Sequence, residues 1–370
     1  MAKQKRDYAL AGTTPTAPIP APPLRYLPQD PKRYNPPIAL IACGGITEYH
    51  LRAYQSAGYN VVALCDRDAE KAKLRQKQFY PDAEVYTDYR DVINRDDIEV
   101  LDVATHPAAR VDILKEAIAA RKHILSQKPF VTDLDVGQRL VELADSHGVR
   151  LAVNQNGRWA PHFAWMRAAI AKNLIGQPIA AHLGVHWDHN WVKGTPFETV
   201  RHIVLYDFAI HWFDIVTSFM GDRAPKRVFA SNAVSPTQTI TPPMLGQALI
   251  EYDDAQATLV FDADVRHGAE DRSYVAGTKG TLISEGPGLT KQSLRLITSR
   301  GVATPDLTGD WFTHGFHGTM AELLLSIEQK RQPSNNARDN LRSLALCFAA
   351  CASADAGKPM TPGKVRKLPK

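Results

Sequence analysis

Between Ile38 and Gln155 the chain repeats one pattern: a short apolar run, then a stretch with helical spacing. The runs are IALIAC, VVALCD, VLDVAT, HILSQ and LAVNQ. The stretches between them include Thr47 to Ala57, Asp68 to Phe79, Ala108 to Arg121 and Asp133 to His147. Apolar runs without polar alternation are strands covered on both faces. Strands that alternate with helices form a parallel sheet, because each parallel pair needs a long crossover. The pattern predicts a Rossmann-type domain over 36–157. Thr132, with Asp135 three residues on, is the expected N-cap of its last helix.

After Asn156 the alternation stops. A short helix is expected from Phe163 to Ala171, and AAHLGVHWDHN has strand texture. Tyr206 to Met220 reads as one helix. RVFASNA, QALIEY, ATLVFDA, SYVAG, TLISE and LRLITS then follow as strands, punctuated by glycine, proline and aspartate. Two helices close the chain, His317 to Gln329 and Ala337 to Ala356. The expected fold class is therefore α/β: a parallel-sheet domain, then an α+β domain over 158–370 with a mostly antiparallel sheet. The last helix is expected to pack back on the first domain. Residues 1–35, rich in proline, alanine and threonine, read as an extended arm. Two readings of it stand: a disordered tail, or an arm reaching a neighbouring subunit.

Composition removes several function classes. The formal charge is +5, but Lys3, Lys5, Arg6, Lys364, Arg366, Lys367 and Lys370 lie at the two ends, and without these seven it becomes −2. No basic face for nucleic acid is expected on the folded body. No apolar run approaches the ~18 residues of a membrane span, and the first residues lack the apolar core of a secretory signal. The expected location is the cytoplasm. Cys43, Cys65, Cys347 and Cys351 form no disulfide or zinc pattern.

The first turn reads Ala42-Cys43-Gly44-Gly45-Ile46-Thr47. In the dinucleotide fingerprint G-x-G-x-x-G, only the middle glycine, Gly44, is intact. Gly44 lets backbone approach a pyrophosphate. Asp66 follows Gly44 by 22 residues, at the end of the second strand. An acid at that distance accepts hydrogen bonds from the adenosine ribose, which favours NAD. Arg67 beside it keeps NADP open. A Rossmann-like sheet with no cofactor is the plainer alternative.

HILSQKPF puts Lys128 just past a strand's carboxyl end, where ligands of open parallel sheets bind. An exposed loop lysine is the ordinary alternative. Asp207 and His211 are four apart in a helical stretch, so they share a face, with Asp214 close to the same stripe. A histidine oriented by a carboxylate takes a hydroxyl proton near neutral pH. On spacing alone, a structural pair in an amphipathic helix is the favoured reading. His182, His186, Asp188, His189 and Trp191 cluster at one strand and its exit. Period 2 sets His182, His186 and Asp188 on one face. A sugar pocket of aromatic planes and polar tips, or a simply solvated sheet face, is preferred there over a metal site. The loop with Lys193, Thr195, Phe197 and His202 is a candidate substrate wall, and His314 and His317 are candidates to face the cleft.

These residues carry a resemblance. The glycine turn, Asp66, the Gln127-Lys128-Pro129 segment, Arg158 with Pro161, and Asp207-x-x-x-His211 occur in the order seen in the Gfo/Idh/MocA oxidoreductases, which include sugar and inositol dehydrogenases. The chain resembles that family from Ile38 to its end. The resemblance implies an NAD- or NADP-dependent dehydrogenase of a sugar or polyol. It implies a homodimer or homotetramer formed through the second domain's sheet. Lys128 would steady the developing alkoxide. Asp207 and His211 would form an acid–imidazole pair, with His211 the base. The implied cofactor set is Gly44, Gly45, Ile46, Asp66, Arg67, Thr105, His106, Gln127 and Lys128. The implied substrate set is Lys128, Asn156, Arg158, Trp191, Asp207 and His211, with no metal. Gln127 stands where the family usually has glutamate, which removes a carboxylate beside Lys128. An NAD-dependent glycosidase or epimerase with transient oxidation, and a non-catalytic dinucleotide or sugar sensor, are the alternatives.

Overall fold

The computed structural model describes residues 16–369. Six strands, numbered in chain order, form the first sheet: β1 (Ile38–Ile41), β2 (Val61–Cys65), β3 (Glu84–Tyr86), β4 (Val100–Val103), β5 (His123–Ser126) and β6 (Leu151–Val153). Their spatial order is β3-β2-β1-β4-β5-β6, all parallel. Helices α1 (Thr47–Ala57), α2 (Ala69–Phe79), α3 (Tyr89–Ile93), α4 (Pro107–Ala119) and α5 (Leu134–His147) connect them. β1 and β4 are buried along their whole length, as a doubly covered sheet requires. This is the doubly wound order with its switch point between β1 and β4, where a crevice opens past the strand ends.

Helix α6 (Pro161–Ala171) leads into the second sheet. Its strands are β7 (Pro178–His186), β8 (Arg227–Ala233), β9 (Leu245–Glu251), β10 (Gln256–Asp262), β11 (Glu270–Gly277), β12 (Gly280–Gly288), β13 (Lys291–Thr298) and β14 (Gly301–Ala303). The order is β14-β13-β12-β11-β7-β10-β9-β8. Only β7 and β10 pair in parallel. The remaining helices are α7 (Ile210–Met220), α8 (Trp311–Glu328) and α9 (Ala337–Ala356). α9 packs against α5 as well as β8 and α7, and α8 lies along α1. Gly318 lets α8 lie close against the turn Asn156–Trp159, since a Cβ there would sit 2.1 Å from Cγ of Trp159.

Several expectations need correction. The cap of α5 is Asp133, not Thr132: its carboxylate accepts the N–H groups of Asp135 and Val136. β3, α3 and β14 are too short to carry a periodic signal. The stretch from Tyr206 to Met220 is not one helix. Ile203–Phe208 is a π turn, and α7 starts afresh at Ile210. α8 begins at Trp311, six residues before the expected start at His317.

Residues 16–35 have no regular element of their own and dock on their own chain. The Ile19 N–H donates to the Val302 carbonyl at 2.9 Å. Asp30 accepts from the Tyr59 hydroxyl at 2.5 Å and pairs with Nε2 of His317 at 2.7 Å. The Glu328 carboxylate accepts the N–H groups of Lys32, Arg33 and Tyr34. This segment thus crosses from the second sheet to the first domain. The rest of the arm lies outside the described residues. Among the described residues no helix is long and apolar enough to cross a membrane.

Candidate active site

The turn after β1 is held from both sides. Ala42 takes φ +74°, a left-handed conformation that costs a residue with a Cβ about 1 kcal/mol. Its N–H donates to the Cys65 carbonyl at 2.7 Å. The next N–H, of Cys43, donates to Oδ2 of Asp66 at 2.8 Å. Arg75, buried under the turn, reaches the carbonyls of Gly44 and Gly45. A Cβ at Gly44 or Gly45 would meet no atom within 4 Å, so the turn's outer side is open. No side chain caps α1, and a helix N-terminus beside an open turn attracts a phosphate. With the Asp66 carboxylate beside it, the turn fits a dinucleotide.

The turn opens into a cleft of about 650 Å³. Gly44, Gly45, Ile46, Thr105, His106, Gln127 and Lys128 line it, together with Asn156, Trp191, Asp207 and His211. The ends of β1, β4 and β5 bring the first group together, and the segment from the π turn into α7 brings Asp207 and His211. Of the predicted site residues, Asp66, Arg67 and Arg158 do not line the cleft. Asp66 sits beside the turn, and Arg67 next to it is exposed.

Lys128 does not face a free carboxylate–imidazole pair. Its Nζ lies 3.3 Å from Oδ1 of Asp207 and donates to the Asp207 carbonyl at 3.0 Å. The expected pairing of Asp207 with His211 is therefore corrected. Asp207 lies in the π turn, where Ala209 N–H bonds five residues back to Val204. The α spacing that would stack residues 207 and 211 is broken there, and Lys128 holds the carboxylate instead. Nδ1 of His211 is buried and unpaired. Burial first, then the charge of Lys128, holds its imidazole well below the usual histidine range. It is neutral at working pH, with Nε2 left as the ring nitrogen open to the cleft.

Arg158 is corrected from substrate ligand to structural ion. Its Nε and Nη2 meet the two oxygens of Asp214 at 2.5 and 2.8 Å, with both side chains buried. Asp214, the third residue of the supposed catalytic stripe, is consumed by this pair and by the Ser343 hydroxyl. His202 is buried against Asp355, not in the cleft. His317 binds Asp30 of the arm. Neither His314 nor His317 lines the cleft; Trp311, Phe312 and Phe316 of the same helix do. At the exit of β7 the odd-numbered residues Val185, Trp187, His189 and Trp191 face the cleft. His182 and His186 instead bond Thr258 and Asp262. Lys193 and Thr195 leave Phe197 as that loop's contribution.

Sequence reasoning missed Arg110. From inside α4 its guanidinium donates to the carbonyls of Thr105, Gln127, Pro129 and Phe130. It ties the loops after β4 and β5 to each other, and burial pushes it down to about 9. A mid-helix arginine carries no motif; only its long apolar surroundings could have marked it. Gln127 was found but not its role. Its Oε1 accepts the Lys128 N–H at 2.7 Å, and its amide nitrogen lies 3.2 Å from Nε2 of His50.

Two family models match the chain: an oxidoreductase family with an NAD-binding Rossmann fold, GFO_IDH_MocA, over 37–155, and the GFO/IDH/MocA C-terminal domain over 163–283. D-apiose dehydrogenase of Paraburkholderia graminis is 25% identical over 347 residues, 86% of this chain and 88% of that one. Inositol 2-dehydrogenase of Salmonella typhimurium is 26% identical over 278 residues, 74% and 79% of the two chains. Among solved structures, an oxidoreductase from Agrobacterium radiobacter with NAD+, L-tartaric acid and magnesium superposes with TM-score 0.79. It is 22% identical and covers 89% of this chain and 99% of its own. At that identity the likeness is one of fold.

Proposed function

This chain belongs to the Gfo/Idh/MocA family of oxidoreductases with an NAD-binding Rossmann fold, and from that premise we propose that it oxidises, reversibly, a secondary alcohol of a sugar or polyol. The observation that carries the reading is the placing of Lys128 and His211 in the cleft into which the glycine turn opens. A nicotinamide dinucleotide held at the glycine turn would take the hydride of the carbinol carbon. The hydroxyl proton passes to Nε2 of His211, and the carbon–oxygen double bond forms. A neutral imidazole of depressed pKa is always ready to accept a proton but is a weak base. The Lys128 ammonium offsets this by stabilising the alkoxide, which lowers the alcohol's own pKa. Asp207 holds that ammonium, and Gln127 holds the lysine's backbone N–H.

The experiment is absorbance of reduced nicotinamide over a panel of sugars and polyols, with NAD and NADP in parallel. We expect turnover with NAD, and a loss of about 10²–10⁴-fold in His211→Ala. Because the His211 pKa is lowered, kcat/KM should show no acid limb near 6.5; protonation, and loss of the base, comes only well below that pH. Tight cofactor binding with no absorbance change across the panel would overturn the reading in favour of a sensor.

A homo-oligomer belongs to the same proposal. Phe229 and Leu249 pair across β8 and β9, 43% and 49% exposed, on the open face of the eight-stranded sheet. A monomer mass in sedimentation at micromolar concentration would remove it.

A further inference from the structure

The cleft's substrate end is built from rings, and its charges are already paired. The Lys, Arg, Asp and Glu side chains lining it are Arg110, Lys128, Asp207 and Asp262. Arg110 is spent on four backbone carbonyls. Lys128 and Asp207 hold each other, and Asp262 holds Nδ1 of His186 at 2.8 Å. Among the described residues, each Lys and Arg lining the cleft already has a carboxylate or carbonyl partner, so a phosphate, diphosphate or carboxylate on the substrate would have to compete with Asp207 for Lys128 and is disfavoured.

The rings form a continuous wall. His189 stacks on Phe208 with centroids 4.1 Å apart, and Trp187 covers it at 4.3 Å. Burial pushes the His189 imidazole down to about 4, so it adds a neutral plane. The Trp191 indole N–H donates to Nδ1 of His189 at 2.9 Å, which fixes the indole although 60% of the residue is exposed. Its ring stands 6.5 Å from Phe208 and 6.3 Å from Phe197. A bare monosaccharide presents hydroxyls around its whole rim. Each one buried here without a partner would cost about one to two orders of magnitude in affinity. An exposed indole locked in place offers instead a platform for an apolar group at the cleft mouth.

We propose that the preferred substrate is an uncharged sugar carrying an apolar substituent, an aryl or alkyl glycoside, with its hydroxyl edge at Lys128 and His211 and its aglycone on the Trp191–Phe208–Phe197 wall. This rests on the dehydrogenase reading above. The chemistry is unchanged: the ring carbinol loses its hydride to nicotinamide and its proton to His211, and the glycosidic bond stays intact.

The test compares phenyl and methyl α- and β-D-glucopyranosides and xylopyranosides with D-glucose, D-xylose, glucose 6-phosphate and glucuronate, using the full chain with NAD. We expect kcat/KM for phenyl over methyl glycosides to be about 10–100-fold, the gain of burying one ring. The same ratio in Trp191→Ala should collapse toward one. Equal kcat/KM for phenyl and methyl glycosides, preference for the free sugars, or preference for the phosphate or uronate would overturn this inference and leave the dehydrogenase standing. Failure of the dehydrogenase reading is told apart by a second readout: quenching of tryptophan fluorescence by phenyl glycosides in the presence of NADH. Quenching that persists in wild type and is lost in Trp191→Ala supports the platform even without turnover; no quenching and no turnover overturns it.

Discussion

Lys128→Met lowers kcat by about 10²–10³-fold, the usual effect of removing one preorganised group from a developing oxyanion, while NADH affinity stays within a few-fold. Methionine keeps the length and apolar stem of lysine but removes the ammonium. The Asp207 carboxylate then loses the cation 3.3 Å away. It turns from a partner of Lys128 into a negative charge facing the alkoxide, so the loss falls on kcat more than on KM. A second signature accompanies it. The charge of Lys128 is one of two causes that hold His211 down, after burial. Its removal raises the His211 pKa, and the acid limb of kcat/KM moves to higher pH without reaching the free-histidine value. Stopped-flow hydride transfer and a pH profile of the variant check both. Turnover within tenfold of wild type would dismiss the alkoxide role.

Arg158→Ala destabilises the protein by about 3–5 kcal/mol, because it leaves the Asp214 carboxylate buried without its cation. Asp214 is only 1% exposed, and the Ser343 hydroxyl at 3.0 Å is a poor substitute for a guanidinium. The same arginine donates to the Ser334 carbonyl, so the turn Asn156–Trp159 also loses its tie to the link between α8 and α9. Thermal denaturation should show a fall of roughly 5–15 °C in Tm. A double variant that replaces both ions with apolar residues should recover part of the loss, since a buried pair is worth little more than good packing. A single variant that melts like wild type, with only KM raised, would restore Arg158 to the substrate.

The parallel sheet of the first domain was legible because five of its six strands are apolar on both faces, while β3 is too short to show. Lys128 was legible for a topological reason: it follows a strand end, and strand ends of parallel sheets converge. Asp207 and His211 were found, but their relation was misread, because a six-residue π turn looks like α-helix in sequence. Arg158 was misassigned because its partner lies 56 positions away, beyond any local pattern. The aromatic wall was only partly visible: His189, Trp191 and Phe197 were singled out, but Phe208, which stacks on His189, comes from a separate segment and reads as core. One local signal did exist: Trp187, His189 and Trp191 alternate as one strand face would, but His182, His186 and Asp188 drew attention to the opposite register.

Asp66 has a consequence for any attempt to redesign cofactor preference. The usual exchange replaces the acid after β2 with a small neutral residue to admit a 2′-phosphate. Here the same carboxylate accepts the N–H of Cys43 at 2.8 Å and of Asp68 at 2.9 Å. The Cys43 bond follows directly on Ala42, whose left-handed backbone is tolerated only while its neighbours are pinned. The side chain expected to meet the ribose therefore also supports the turn. A switch toward NADP has to supply a new acceptor for the Cys43 amide, or a glycine at position 42, before the new phosphate contact is worth anything.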